Sequence, residues 1–129
     1  MKALDTNVLA RFLLNDDPVQ SQIARQQLTE QCFVSETVLL ELSWLLTSRY
    51  QMPREEVLAN VRDLFLLPTL TIHNADHVSW AVDRFEAGAG LADMLHVATA
   101  GLSDVFVTFD RGLARRAGPN TPVPVERLG

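Results

Sequence analysis

The spacing of apolar and polar positions along the 129-residue chain alternates short strand-like runs with longer helical ones. That alternation predicts an α/β fold with a mostly parallel central sheet flanked by helices. Residues 2–4 read as a first strand, followed by the turn Asp5-Thr6-Asn7. Residues 8–14 then read as a helix, ended by the polar cluster Asn15-Asp16-Asp17-Pro18. Pro18 suits the first turn of a second helix reaching about Glu30. Residues 32–35 form the second strand, and Ser35 is placed to cap an apolar helix over 36–49. Pro53 opens a helix to about Phe65, residues 70–73 form a strand, and Asn74 is placed to cap a helix ending near Gly88.

After the break Gly88-Ala89-Gly90, residues 91–102 read as a helix. The strongest strand, β-branched and aromatic, is 104–109. It ends at Asp110, a short helix runs through Arg116, and 123–125 read as an edge strand where neighbouring prolines are tolerable. The expected sheet therefore has four to five strands. No repeat, low-complexity run or linker interrupts the pattern, so residues 1–129 are read as one domain, a size that can bury a real core.

Composition narrows the class. At 47% hydrophobic and 21% charged, the chain is ordinary for a globular protein. Its single cysteine, Cys32, excludes an internal disulfide and a cysteine-based zinc site. A charge at the fifth residue, and no apolar run long enough to span a bilayer, point to a cytoplasmic protein with no membrane segment. The net charge of −5 argues against non-specific nucleic-acid binding. The objection weakens if several of the acids are gathered to hold cations. Ten of the eleven basic residues are Arg, whose planar fork suits phosphate, although a codon-biased genome explains the excess equally well.

Four acids stand out. Asp5 and Asp110 directly follow strands, and in open α/β sheets ligands bind beyond the carboxyl ends of strands. Each also suits the role of a helix cap. Glu41 lies in Val38-Leu39-Leu40-Glu41-Leu42-Ser43-Trp44-Leu45-Leu46, a helix apolar nearly all round and expected to be buried. Asp93 sits in the similarly apolar Leu91-Ala92-Asp93-Met94-Leu95-His96. A buried carboxylate needs a compensating partner. One is an arginine (Arg11, Arg49 or Arg84 are candidates), and the sharper one is a metal. Mg²⁺ is typically held by a few carboxylates, waters and substrate phosphates, a site suited to phosphodiester hydrolysis.

On these residues the chain resembles the PIN-domain ribonucleases of the VapC toxin type. Leu4-Asp5-Thr6-Asn7-Val8-Leu9 is similar to that family's first motif, and Glu41 on an apolar third helix to its second. Ala92-Asp93-Met94-Leu95-His96-Val97-Ala98 resembles the third, and Val107-Thr108-Phe109-Asp110-Arg111-Gly112-Leu113-Ala114 the fourth. The resemblance covers essentially the whole chain. It implies a PIN-like fold and an endoribonuclease dependent on Mg²⁺ or Mn²⁺, with Asp5, Glu41, Asp93 and Asp110 as the acidic set. It further implies Asn7 and Thr108 as polar neighbours of the acids, a homodimer, and a cognate VapB-type antitoxin. Many relatives carry a further acid three residues before Asp93, where this chain has Gly90. One ion held firmly, and a second recruited with substrate, is the corresponding expectation.

The remaining candidates rank lower. Arg111, Arg115 and Arg116 follow Asp110 and are placed to grip an RNA backbone. Gly88-x-Gly90 joins two helices, which is not the strand-to-helix context of a phosphate loop. His96 reads as a satisfied, partly buried histidine, and Trp44 and Trp80 as packing residues. A phosphotransfer enzyme with a strand-end Asp would need an acid at Asn7 or a late lysine, and the only lysine is Lys2. A non-catalytic α/β binding module would account for the fold but not for two acids on apolar helices.

Overall fold

A computed structural model describes all residues, Met1–Gly129, which divide into two compact units, Met1–His73 and Asn74–Gly129. The first unit contains β1 (Lys2–Ala3), α1 (Thr6–Leu14), α2 (Pro18–Gln27), β2 (Cys32–Val34), α3 (Glu36–Trp44), a π-helical turn (Leu45–Arg49), α4 (Arg54–Phe65) and β3 (Leu70–Ile72). Its sheet has the order β1-β2-β3 with both pairings parallel, Lys2 opposite Cys32 and Cys32 opposite Leu70. The second contains α5 (Ala75–Glu86), α6 (Leu91–Thr99), β4 (Phe106–Thr108), α7 (Leu113–Ala117) and β5 (Val125–Arg127). There β4 and β5 pair in parallel, Phe106 opposite Val125. The α/β class and five parallel strands are as expected, and the strands form two sheets, one in each unit.

Local chemistry explains most boundaries. Asp17 caps α2 by accepting from the Gln20 N–H at 3.1 Å, with Pro18 in the first turn. Ser35 caps α3 by accepting from the Val38 N–H at 3.3 Å. Asn15 ends α1 in the left-handed region at φ 53°, which asparagine tolerates better than most residues. Asn74 departs from expectation: it is left-handed at φ 56° and makes no side-chain cap. Its Nδ2 instead donates to the Ala98 carbonyl at 3.1 Å, tying the start of α5 to α6.

In the first unit α1 packs against α2 and α3, and Leu9, Cys32, Val34, Leu39, Leu42, Leu46 and Leu64 are buried. In the second α5 packs against α6, and Val78, Val82, Met94 and Val97 are buried. No helix is long and apolar enough to cross a membrane.

Candidate functional site

Each acid has a distinct local setting. Asp5 lies two residues beyond β1 and is exposed. Its Oδ1 accepts from the Thr6 N–H at 2.8 Å and its carbonyl from the Val8 N–H at 3.1 Å, so it does cap α1. Only one carboxylate oxygen is used in this way, which leaves the other available for a ligand. The Thr6 hydroxyl beside it is buried without a hydrogen-bond partner. A buried hydroxyl left without a partner costs about 1–3 kcal/mol. The sequence reading missed Thr6, although it is the middle residue of the Asp5-Thr6-Asn7 turn.

Glu41 corrects the reading from sequence. The buried stripe of α3 and the turn after it runs through Leu39, Leu42, Ser43 and Leu46, the i, i+3, i+4, i+7 pattern of one helix face. Glu41 lies on the other face with exposed Thr37 and with Trp44, which is 64% exposed. Its carboxylate is therefore solvated, and the case for a compensating partner does not arise there. Trp44 is correspondingly not a packing residue.

Asp93 lies in the first turn of α6, behind Gly90 at the N-cap, with a side chain 47% exposed. Its neighbours Met94 and Leu95 turn inward. Asp93 is thus not buried as its apolar neighbours suggested, and the basic group beside it is none of the three arginines anticipated. Arg116 Nη2 lies 3.8 Å from Asp93 Oδ2 and donates to Asp110 Oδ2 at 2.5 Å. Of the others, Arg11 pairs with Asp16 at 2.7 Å, and Arg84 Nε donates to the Arg116 carbonyl at 2.9 Å.

Asp110, two residues beyond β4, is held most tightly. Its Oδ1 accepts from the Gly112 N–H at 2.9 Å, a side-chain turn that precedes α7, and its own N–H donates to the Thr108 hydroxyl at 3.0 Å. The Gly112 N–H, and after it the Arg116 guanidinium, hold the Asp110 carboxyl below the usual carboxylate range. A folded-state pKa below the unfolded one contributes stability that is full above the unfolded value, about 3.9. It is lost as pH falls through the folded value. In an NMR acid titration of the carboxyl carbons, Asp110 is expected to protonate at lower pH than an ordinary Asp. Protonation at or above the ordinary range would mean that these contacts are absent in solution.

The Thr108 hydroxyl thus adjoins the Asp110 backbone. Asn7 is exposed and lines a cavity of about 360 Å³ between α1 and α2, together with Val8, Arg11 and Ile23. Arg111 and Arg115 are exposed, whereas Arg116 is engaged with the acids. His96 is exposed rather than partly buried.

Within neither unit do three or more His, Cys, Asp or Glu side chains gather into a metal-holding group. The pair Asp93 and Asp110 nevertheless fits a hard divalent ion. Both are oxygen donors, and both are drawn to a single positive charge, which Arg116 provides.

No curated protein matches the chain. The PIN domain family model matches residues 2–119, a span that runs through both units. PIN domains are typically nucleases and generally use divalent metals. With nearly its whole length matched, the chain belongs to the PIN domain family.

Proposed function

We propose that the protein is a metal-dependent endoribonuclease and the toxin of a toxin–antitoxin pair, with residues 1–129 as a single nuclease domain. The observation that carries this reading is the convergence of Asp93 and Asp110 on one cation, in a chain of a nuclease family. Asp5, Glu41, Asp93 and Asp110 are the acidic set, and Mg²⁺ or Mn²⁺ the cofactor. A bound divalent ion lowers the pKa of its water and offsets charge on the leaving oxygen.

The chain's own residues prepare that chemistry. The Thr6 and Gly112 N–H groups each fix one oxygen of Asp5 and Asp110, so that these carboxylates are held before any ligand arrives. Thr108 secures the backbone at Asp110. Glu41, exposed to solvent, is an available ligand rather than a trapped charge. Exposed Arg111 and Arg115 grip the RNA backbone through phosphate contacts. Asn7 contributes a polar contact near Asp5.

The resemblance of four sequence motifs to those of VapC-type toxins supports the remainder of the reading. It favours a homodimer acting in the cytoplasm, silenced by a VapB-type antitoxin, with a second ion recruited only with substrate because Gly90 replaces the further acid of many relatives. The test is RNA cleavage by purified, antitoxin-free protein with Mg²⁺ or with EDTA, wild type beside Asp5→Asn. Cleavage is expected with Mg²⁺ and wild type alone. Cutting that persists in EDTA or in Asp5→Asn would overturn the reading.

A further inference from the structure

Arg116 reaches the two acids from a fixed base. Its N–H donates to the Gly112 carbonyl at 3.0 Å, and its own carbonyl accepts from Arg84 Nε at 2.9 Å. Its side chain is only 31% exposed, and one nitrogen, Nη2, serves both carboxylates. Asp110 Oδ1 is already taken by the Gly112 N–H. Asp110 Oδ2, the oxygen that accepts no backbone hydrogen bond, is the one that Arg116 occupies. A guanidinium and a divalent ion compete for the same lone pairs there.

We propose that Arg116 is an internal counter-ion, which holds Asp93 and Asp110 in the metal-free protein and is exchanged for the divalent cation when that binds. The inference rests on reading these two acids as metal ligands. Two considerations favour exchange over a permanent structural bridge. Both acids are nearly half exposed, and ion pairs in such settings contribute little to stability, so breaking this one is easy. Asp93 lies at 3.8 Å, a charge contact longer than a hydrogen bond, so Arg116 satisfies only one of the two acids well. A divalent ion offers twice the charge and no fixed fork geometry, and can serve both.

Arg116 is thus a positioning residue that tunes metal affinity, and metal binding is its test. Mn²⁺ is titrated calorimetrically into metal-free wild type, Arg116→Gln and Asp93→Asn. Removing the competitor is expected to tighten Mn²⁺ binding roughly two- to fivefold, whereas Asp93→Asn weakens it. Binding that is unchanged or weaker in Arg116→Gln, with Asp93→Asn still impaired, overturns the exchange and leaves the metal reading standing. If neither wild type nor Arg116→Gln binds Mn²⁺, both fall. A second measurement needs no variant: in wild type, Mg²⁺ is expected to shift the Arg116 side-chain NMR resonances and speed their exchange with water. Resonances that stay fixed at saturating Mg²⁺ overturn the exchange.

Discussion

Asp93→Asn is expected to slow RNA cleavage on the order of 10²-fold or more while leaving the protein folded. On the proposed reading, Asp93→Asn removes one ligand charge from an ion worth several kcal/mol to the transition state, and each ~1.4 kcal/mol is a factor of ten in rate. The cost to the fold is far smaller. Asn has nearly the shape of Asp, the position is half exposed, and what is lost is a first-turn interaction with the helix dipole of about 0.3–1 kcal/mol. Single-turnover cleavage at saturating Mg²⁺, beside a urea unfolding curve of the metal-free protein, separates the two effects. A variant that cuts at the wild-type rate would remove Asp93 from the chemistry. One that cuts slowly only because it is largely unfolded would show its loss in the unfolding curve instead.

The neighbouring residue is expected to behave in the opposite way. Met94 is fully buried in α6, one position along the helix from Asp93. Met94→Ala removes buried atoms and leaves a cavity that close-packed surroundings fill only in part, a loss of about 2–5 kcal/mol. Against a total of roughly 5–15 kcal/mol for a natural domain, that is enough to lower the urea midpoint clearly with little change in slope. The fraction still folded should cleave at close to the wild-type rate per molecule. A destabilisation well under 1 kcal/mol would mean that Met94 is not packed in the core as described.

These adjacent residues also mark what the sequence could disclose. Element type followed from periodicity and caps: Ser35 and Pro18 sit at helix starts as their chemistry requires. Boundaries set by distant partners were not legible. Asn74 looks like a cap, but its amide is drawn to Ala98, twenty-four residues on. The helix read over 36–49 changes to a π turn at Leu45, where the Tyr50 N–H reaches the Leu45 carbonyl, with no glycine or proline to announce it. The last strand lies at Val125–Arg127 rather than 123–125 because Pro124 has no N–H for a ladder. Its carbonyl accepts from Phe106 instead, and the register starts one residue later.

The site divides in the same way. That Asp5 and Asp110 follow strands is a local fact, and it holds with one residue, Leu4 or Phe109, between strand and acid. The burial of Glu41 was inferred from apolar neighbours, and it failed because Trp44 is apolar yet exposed. Which face a helix buries depends on what lies against it, and that is not written in the helix. The pairing of Asp93 with Arg116 spans twenty-three residues, and no local pattern in the sequence announces it.

One feature of the first sheet gives the protein a gauge of its own integrity. Cys32, the sole thiol, is fully buried in the middle strand, its Sγ–H donating to the Gln27 carbonyl at 3.1 Å. A thiol reagent reaches it only when β2 parts from its neighbours or the whole unit opens. The ratio of its labelling rate in native buffer to that in denaturant therefore measures the free energy of that opening. It does so without an added probe, and from the unit that holds Asp5 and Glu41.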